Sequence, residues 1–580
     1  MPAYRGPRPR AVRLRRTDPP ERGERRRPMR SSMRIRVPAA FIAGLIGVFA
    51  FPPFGLWPLA FVSTAGLSIV VHGRRPRQGA WLGLAFGAGL FGPMLHWTAT
   101  FVGSAPWLIL VFSQTWYVAA LGAALPVLQR RRLGPLWAAA GWVGEEALRD
   151  RLPFGGFPWG RWAFSQSVSP LKWFAALGGA PLVTFSVALI GCCLARAVLG
   201  VRDPGSARDQ GSPPDPLSSP DTAHPRGSWF ARPARLVPAA GAVTVLALGL
   251  ALWLPLHPTG TPRSTTIAAI QGDVPDRGLE FNARRRQVLD NHVAQTMKLA
   301  AQIKAGTVPK PSLVLWPENA SDIDPTTNQD AAGEIQQATD AVGVPILVGA
   351  LLDGPGPTHV TNAGIVWLPS SSTTPGPGQR YVKRHPVPFG EYMPLRSIAR
   401  KITSKVDLVA RDMVAGSGNG LLTQTPYPVG DVICFEVAYD SLVRSSVRAG
   451  AQMLVIQTNN ATFGHSGETY QQLAMSRLRA VEHDRSVVQV ATSGKSAVIA
   501  PDGSVRQESG PLFTADVIVQ SVQLRTTTTL ATRLGAVPEW LFTALALLGI
   551  ALTVIPASRR RARVTSLVPA ASSMPDKEDG

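Results

Sequence analysis

A thiol, a carboxylate and an ammonium group each follow an apolar run in the second half of this 580-residue chain. Cys434 ends the run in GDVICFE, Glu318 follows LVLWP, and Lys383 follows RYV. A cysteine nucleophile needs a base to take its proton, and a cation or amide donors to hold the oxyanion that forms on attack. Glu318, Lys383 and Cys434 together supply that set, so these residue types predict nucleophilic catalysis.

Each of the three residues also has an ordinary structural interpretation. Glu318 alone could be a loop acid or a helix cap, Lys383 a solvated charge, and Cys434 a buried core thiol. All three, however, lie directly after or within an apolar run, where strand ends and their loops present side chains to a site. Taken together, the three positions favour the catalytic interpretation.

The segment that carries these residues has the pattern of an α/β domain. From residue 264 onward, short β-branched runs alternate with helical stretches near 280–305, 328–341, 439–449 and 468–483. The runs predicted as strands are TTIAAIQ, SLVLWP, PILVGAL, AGIVWL, RYVKRH, GDVICF, QMLVIQT, SVVQVA and SAVIAP. This pattern predicts a sheet-rich domain of about 260 residues, large enough for one substantial core.

The rest of the chain has the composition of a membrane protein. The sequence is 45% hydrophobic and only 17% charged, which is a low charge for a soluble chain of this length. A spanning helix needs roughly 20 apolar residues, and about eight stretches approach that length: 38–54, 56–72, 79–101, 106–128, 134–149, 170–199, 236–255 and 538–556. The fifth contains Glu145 and Glu146, which we interpret as a pair that reaches an interface or a polar crevice, with a functional intramembrane pair as the alternative.

Basic residues set the expected orientation, because Lys- and Arg-rich short loops stay on the cytoplasmic side. Residues 5–36 hold thirteen arginines, and HGRRPRQ, QRRRLG and RRRAR would fall on the same side of an eight-span chain. Both termini are therefore expected in the cytoplasm of a multi-pass protein of the cell membrane. The net charge of +22 follows from this rule, which disfavours nucleic acid as a partner.

These patterns predict an organisation in seven parts. In chain order they are a disordered basic cytoplasmic arm (1–37), transmembrane helices 1–6 (38–200), a cytoplasmic Pro/Ser-rich linker (201–235), transmembrane helix 7 (236–256), the extracytoplasmic catalytic domain (257–537), transmembrane helix 8 (538–556) and a cytoplasmic tail (557–580). We do not expect the arm to be a cleaved signal peptide, because no small-residue cleavage site ends the first apolar stretch.

Cysteine usage supports a chemical role for Cys434. Two of the three cysteines, Cys192 and Cys193, fall in the sixth apolar stretch, which leaves Cys434 without a disulfide partner outside the cytoplasm. An unpaired thiol in an oxidising compartment invites oxidation. Its presence therefore requires an explanation, and a buried structural thiol is the simplest alternative to catalysis.

Three motifs give the chain a family resemblance. LVLWPENA, YVKRHPVPFGEYMP and ICFEVAYD resemble the signatures of the nitrilase superfamily, and with the flanking apolar stretches they are similar to its membrane-embedded branch, the apolipoprotein N-acyltransferases. GFPWGRWAFSQ (156–166) and the stretch 459–503, which begins NNATFGHSGETYQQ, support that resemblance. It covers nearly everything from about residue 38 to residue 556.

The resemblance implies a fold and a set of active-site residues. It implies a polytopic bundle of about eight helices that carries an extracytoplasmic nitrilase-like αββα sandwich. By motif position the catalytic residues become Glu318, Lys383 and Cys434, and the supporting acids become Glu391 and Glu436.

The resemblance also indicates where a lipid substrate would bind, and the sequence departs from the family there. Family members often have Tyr where Phe435 stands, and Trp where Thr462 precedes Phe463. Trp159 lies in an apolar-aromatic loop, 154–163, that we expect beside the entrance to the site, with an interfacial aromatic belt as the alternative. The departures bear on acyl-chain preference and leave the catalytic residues unchanged.

The reaction implied by the resemblance is acyl transfer in two steps. A phospholipid would donate an acyl chain to Cys434, and the thioester would pass it to the α-amino group of the diacylglyceryl-modified N-terminal cysteine of an apolipoprotein, the last step of lipoprotein maturation. The sequence predicts no cofactor, and no HExxH or CxxC arrangement supports a metal.

Two other functions compete with acyl transfer. A membrane-anchored amidase or nitrile hydrolase would use the same three residues with water as acceptor, although eight spans are excessive for an anchor. A transporter or lipid-binding protein would need no nucleophile, so the cysteine, glutamate and lysine at matching motifs argue against it.

Overall fold

The computed structural model describes residues 33–200, 232–252, 263–274, 285–402, 406–407 and 409–554. Most of the predicted basic arm and linker, all of the tail, and the start of the helix expected near 280–305 lie outside the described residues. The described chain forms a helical region and an α/β region.

Each of the eight apolar stretches contains a helix. Before the α/β region these are α1 (Met33–Val48), α2 (Leu59–Val71), α3 (Pro76–Met94), the short α4 (Trp97–Val102), α5 (Ser104–Leu128), α6 (Gly134–Arg149), α7 (Phe174–Leu199) and α8 (Arg232–Ala251). One further helix, Val537–Val554, follows the α/β region. The short α4 lies between the third and fourth long apolar helices and was not predicted as a separate element.

Glycines allow α3 and α5 to pack closely. A Cβ on Gly79 would lie 2.1 Å from the carbonyl oxygen of Gly122, and a Cβ on Gly83 would lie 2.2 Å from that of Val118. Residues four apart lie on one face of a helix, and small residues there let two helix backbones approach within a membrane. Any larger side chain at these positions would force α3 and α5 apart.

Within the described residues, two helices are long and apolar enough to cross a membrane, by length and composition: Ser104–Leu128 and Pro170–Leu199. Three shorter apolar helices, Leu59–Val71, Leu236–Ala251 and Val537–Thr553, fall below that length. The count of eight spans therefore stays a prediction.

The two glutamates of α6 lie in a polar cluster. Glu145 accepts a hydrogen bond from Arg149 Nε at 2.9 Å, and both side chains are buried. Glu146 accepts from the backbone N–H of Trp162 at 2.8 Å and from Thr184 Oγ1 at 2.8 Å. This arrangement agrees with the interpretation of the pair as occupants of a polar crevice, because each carboxylate has partners supplied by the protein.

The described strands of the α/β region form two sheets. In chain order they are β1 (Ser264–Gln271), β2 (Leu313–Leu315), β3 (Ile346–Asp353), β4 (His359–Leu368), β5 (Gly376–Val382), β6 (Asp412–Met413), β7 (Leu421–Leu422), β8 (Val429–Ile433), β9 (Met453–Thr458), β10 (Ser486–Ala491), β11 (Ala497–Ile499), β12 (Val505–Glu508) and β13 (Asp516–Gln523). The first sheet has the order β13-β1-β2-β3-β4-β5, with β6 beside β4, and the second has the order β12-β11-β10-β9-β8-β7.

Helices cover the outer face of each sheet. The described helices between residues 285 and 534 are α9 (Arg285–Lys304), α10 (Gln329–Val342), α11 (Arg396–Ile402), α12 (Asp440–Arg448), α13 (Glu468–His483) and α14 (Leu530–Leu534). Of these, α9 and α10 pack on the first sheet, and α12 and α13 pack on the second. One apolar core lies between the sheets, a second lies between the first sheet and α9 and α10, and a third joins the second sheet, α12 and α13 to the helical region. The predicted α/β domain with an αββα arrangement is confirmed, because the sheets face each other and helices lie outside both.

Four strands, β6, β7, β12 and β13, were not predicted. β6 and β7 have two residues each, too few to show a periodicity. β12 (VRQE) is a polar edge strand, and β13 (DVIVQSVQ) is mostly half-buried. β13 pairs antiparallel with β1 along its full length, so the first sheet is completed by a segment some 250 residues away in sequence.

Candidate active site

The ends of three strands present the predicted catalytic residues. Glu318 comes three residues after β2, Lys383 directly follows β5, and Cys434 directly follows β8. β2 is parallel to β3, and two antiparallel pairings then make β5 run in the same direction as β2. The carboxyl ends of β2 and β5 therefore lie at one edge of the first sheet, where the facing sheet brings the end of β8.

Glu318 is buried, with 3% of its surface exposed, and accepts three hydrogen bonds. Its Oε1 accepts from Lys383 Nζ at 2.9 Å and from Asn362 Nδ2 at 2.7 Å, and its Oε2 accepts from the backbone N–H of Asn459 at 3.0 Å. A buried carboxyl group needs such donors to offset its lost hydration. Strand β4, which carries Asn362, and the end of β9 thus fix the orientation of the Glu318 carboxyl group.

Lys383 lies between two carboxylates. Its Nζ donates to Glu318 at 2.9 Å and to Glu391 Oε1 at 2.5 Å, and its side chain is almost fully buried. Burial alone would lower the pKa of Lys383, but the charges of Glu318 and Glu391 outweigh burial and hold that pKa well above its usual range. The site therefore contains a fixed positive charge.

Glu391 completes this charged cluster. Burial raises the pKa of Glu391, and the adjacent ammonium group of Lys383 offsets part of that effect. Its second oxygen accepts from the backbone N–H of Val387 at 2.9 Å. Glu391 therefore ties the loop after Lys383 to the ammonium group, and the supporting role that the family resemblance implies for it stays a prediction.

Cys434 has an unusual backbone conformation and a partly exposed side chain. Its φ of +54° lies in the left-handed region, which residues other than glycine rarely adopt and which is enriched at functional sites. Burial raises the pKa of the Cys434 thiol, the charge of Glu318 raises it further, and the charge of Lys383 lowers it. The thiol is thus protonated at neutral pH and needs a base to become a nucleophile.

Glu436 holds the two catalytic loops together. Its carboxylate accepts from Tyr381 Oη at 2.8 Å and from the backbone N–H groups of Arg384 at 2.7 Å, His385 at 3.1 Å and Ile433 at 2.9 Å. These donors belong to the segments around Lys383 and Cys434. Glu436 is fully buried, so its contacts fix the relative position of the ammonium group and the thiol.

The predicted substrate-binding residues belong to a row of aromatic rings. Phe435 lies 5.8 Å from Trp159, in a stacked arrangement, and Trp159 lies 5.1 Å from Trp97. Trp97 in turn meets Phe463 edge-on at 4.8 Å. The helical region thus extends the apolar surface beside Cys434, and Trp97 was not singled out from the sequence.

Thr462 is the exception among these residues. It lies half-buried in the short 3-10 turn Ala461–Phe463, next to Phe463. Its side chain has no aromatic ring. Its neighbour alone joins the aromatic row.

Sequence reasoning did not single out four polar residues around the site. Asn362 and Asn459 hold Glu318, while Gln472 donates from Nε2 to Cys434 Sγ at 3.8 Å. Glu468 is buried and accepts from Asn460 Nδ2 at 2.8 Å. The pair NN at the end of the run QMLVIQT was a possible signal, because amide side chains at a strand end contribute to sites.

Comparison with known proteins assigns the chain to a family. Residues 43–193 match the Apolipoprotein N-acyltransferase N-terminal domain, and residues 266–532 match the Carbon-nitrogen hydrolase family. An apolipoprotein N-acyltransferase of Mycolicibacterium smegmatis is 39% identical over 89% of this chain and 84% of its own length. The chain belongs to the apolipoprotein N-acyltransferase family. The resemblance of its motifs to that family is thus confirmed.

Other relatives agree with this assignment. An apolipoprotein N-acyltransferase of Pseudomonas putida is 29% identical over 80% of this chain and 86% of its own length. An amidase structure from Nesterenkonia sp. overlays on 48% of this chain and 96% of its own with a TM-score of 0.33 and 16% identity. As a member of the apolipoprotein N-acyltransferase family, the chain is an acyltransferase with a nitrilase-like domain.

Proposed function

We propose that the protein transfers an acyl chain from a phospholipid, through a thioester on Cys434, to the α-amino group of the diacylglyceryl-modified N-terminal cysteine of an apolipoprotein. The observation that carries the proposal is the buried contact of 2.9 Å between Glu318 and Lys383 beside a protonated thiol. That arrangement supplies a base and a fixed cation to one nucleophile. The family membership of the chain supports a lipoprotein substrate.

In the first step Glu318 takes the proton of Cys434 as Sγ attacks the ester carbonyl carbon of the phospholipid. The S–C bond forms, and the carbonyl oxygen becomes an oxyanion that Lys383 and a backbone amide near the cysteine stabilise. Collapse of this intermediate breaks the C–O bond of the ester. Glu318 returns the proton to the departing oxygen, and lysophospholipid leaves.

In the second step the lipoprotein amine attacks the thioester. Glu318 accepts a proton from the amine, the N–C bond forms, and the S–C bond breaks so that its electron pair returns to Sγ. The product is an amide, and Glu318 passes the accepted proton to Sγ, which regenerates the Cys434 thiol and the Glu318 carboxylate. Glu391 and Glu436 act in both steps by positioning the Lys383 ammonium group and the Cys434 loop.

A membrane location suits both substrates. Moving an acyl chain from a bilayer into water is unfavourable by about 0.8 kcal/mol per CH₂ group, so a site at the membrane surface avoids that penalty. We propose that eight helices span the membrane, that both termini are cytoplasmic, and that residues 257–537 form an extracytoplasmic domain. The Phe435, Trp159 and Phe463 rings would then contact the acyl chain at the entrance, with Thr462 beside them.

The test is acyl loading without an acceptor. The full-length protein in detergent is mixed with a phospholipid that carries a labelled acyl chain, and hydroxylamine-sensitive label is mapped by mass spectrometry. We expect label on Cys434, and on no other residue. Absence of label from every phospholipid tried, with Cys434 still reactive toward iodoacetamide, would contradict the proposal and favour a nitrilase-like amidase.

A further inference from the structure

A donor other than Lys383 reaches the nucleophilic sulfur. Gln472, on α13, places its Nε2 3.8 Å from Cys434 Sγ, and its side chain is fully buried. Hydrogen bonds to sulfur are longer than those to oxygen, because sulfur is larger. The contact matters only if the amide presents its NH₂ group, and not its oxygen, to the sulfur.

The neighbours of Gln472 fix the orientation of its amide. Its Oε1 lies 2.9 Å from Asn460 Nδ2 and 2.9 Å from Thr458 Oγ1. An amide NH₂ group can only donate, so the Gln472 atom that faces Asn460 Nδ2 must be the oxygen. The NH₂ group of Gln472 therefore points at Cys434.

Asn460 is itself held in one orientation. Its Nδ2 also donates to Glu468 Oε2 at 2.8 Å, and its Oδ1 accepts from Thr469 Oγ1 at 3.5 Å. Little space surrounds the side chain, since a Cβ on Gly494 would lie 2.4 Å from Asn460 Oδ1. A hydrogen-bonded line thus runs from buried Glu468 through Asn460 and Gln472 to the sulfur.

We propose that Gln472 is a further catalytic residue, whose amide donates a hydrogen bond to the Cys434 sulfur and stabilises it as a thiolate. The proposal rests on the proposed role of Cys434 as nucleophile. Lys383 and Gln472 have different roles. The ammonium group of Lys383 stabilises the oxyanion formed from the carbonyl oxygen, and the amide of Gln472 stabilises the sulfur. Gln472 would act when Glu318 removes the thiol proton and again when the S–C bond of the thioester breaks.

An uncharged donor suits this position. The sulfur lies near Glu318, whose charge disfavours a thiolate, and a second cation there would compete with Lys383 for that carboxylate. An amide offers a donor without pairing with Glu318 and without titrating. Hydrogen bonds to a charged acceptor are also stronger than those to a neutral one, so the contact favours the thiolate over the thiol.

The test is the pH dependence of Cys434 alkylation by iodoacetamide in the full-length detergent-purified protein. Gln472→Met keeps an unbranched side chain but has no N–H donor. We expect alkylation about tenfold slower than in the parent at every pH below the pKa of the thiol, so that the profile of rate against pH is shifted upward by about one pH unit. Ser476→Ala is the matched control, because Ser476 lies one turn further along α13 and donates to Gln489 at 2.7 Å; it should keep the parent profile.

An unshifted profile for Gln472→Met, or an equal shift for Ser476→Ala, would overturn the proposal. If Gln472→Met does not fold, Thr458→Val replaces it. That variant frees one side of the Gln472 amide, so the profile should shift in the same direction by a smaller amount, and no shift would overturn the proposal. Alkylation needs no lipid, so a Cys434 that is alkylated normally but never acylated would contradict the proposed function and leave the role of Gln472 standing.

Discussion

Two regions of the molecule bury clusters of charge, and only one of them contains a nucleophile. At the catalytic site, Glu318 and Glu391 share the Lys383 ammonium group. At the contact between the helical region and the α/β domain lies a second set, here called the junction cluster: Glu146, Asp150, Arg161, Asp440 and Arg479. Both sets are ion-paired, so burial and pairing alone do not distinguish them.

The two clusters differ in what the charges act on. In the junction cluster Asp440 receives Arg161 at 2.8 Å and Arg479 at 2.7 Å. Burial would raise the pKa of Asp440, but the two guanidinium groups outweigh burial and hold it well below its usual range. The charges there satisfy one another, whereas those at the site act on the Cys434 thiol. A buried ion-pair network thus marks a catalytic site only when a reactive group lies beside it.

The largest expected effect is the loss of the nucleophile. Cys434→Ala removes the sulfur and should abolish both acyl loading and transfer to a diacylglyceryl-cysteinyl peptide, measured with a labelled phospholipid. Cys434→Ser should be nearly inactive, because the pKa of an alcohol is too high for Glu318 to generate a nucleophile. Normal turnover by either variant would show that Cys434 is not the nucleophile, and the catalytic site would then no longer differ from the junction cluster in this respect.

Loss of the cation at the site should be the next largest effect. Lys383→Met should slow transfer about 10²- to 10³-fold, because the oxyanion loses its charged partner. The control is Lys495→Met, which removes a lysine paired with Glu508 at 3.0 Å on the same domain and should transfer at the normal rate. Equal losses in the two variants would show that the effect is structural.

Substitution of a residue in the junction cluster should lower the stability of the protein and leave the reactivity of Cys434 unchanged. Asp440→Asn leaves Arg161 and Arg479 buried without their shared carboxylate, so we expect a loss of about 3–5 kcal/mol in the free energy of unfolding. The thermal unfolding midpoint in detergent measures this loss. The rate of iodoacetamide alkylation of Cys434 per folded molecule should be unchanged, and a slower rate would mean that the junction cluster participates in the site.

Glu468, near the catalytic site, should make the stability of the protein depend on pH near neutrality. Burial raises the pKa of Glu468 to about 8, and the charge of Glu318 adds to this effect. The folded state therefore keeps a proton that the unfolded state loses above about pH 4.5, so this contribution to stability is complete below that pH and declines as the pH rises toward 8. Between pH 6 and 7 the decline is about 1.4 kcal/mol at most. Glu468→Gln should show a flatter dependence of the unfolding midpoint on pH, and an unchanged slope would contradict this assignment.

The smallest expected effect concerns the aromatic row. Phe435→Tyr adds a hydroxyl group to a ring that packs on Trp159 at 5.8 Å and Tyr439 at 5.4 Å. We expect kcat/KM to change by less than about tenfold, with the ratio between short and long acyl donors altered. A loss as large as that of Lys383→Met would place Phe435 in the catalytic machinery.

The three catalytic residues predicted from the sequence share one property: each comes just after a strand. Glu318 and Cys434 could be found because the apolar runs LVLWP and DVI precede them, and Lys383 because it follows the short run RYV. Glu391 and Glu436 came only from the family resemblance, since a lone acid in a loop carries no periodic signal. Their hydrogen bonds to the segments around Lys383 and Cys434 are visible only in the structure.

The residues missed from the sequence depend on contacts between distant segments. Arg161 and Asp440 are separated by 279 positions, and no local pattern predicts that they meet. Gln472 is an ordinary polar residue on a helix until Thr458 and Asn460 fix its amide. Such roles arise from tertiary packing, so sequence periodicity cannot show them.

A single-turnover transfer experiment tests whether Cys434 carries the acyl chain from phospholipid to the lipoprotein amine. Cys434 is first loaded with a labelled acyl chain from phospholipid, free lipid is removed, and a synthetic diacylglyceryl-cysteinyl peptide is added. We predict that label leaves Cys434 and appears on the peptide α-amino group at the same rate, and that the rate is at least as fast as steady-state turnover. Label that passes to water instead, or a peptide acylated by the Cys434→Ala variant, would show that the Cys434 thioester is not the intermediate of N-acyl transfer.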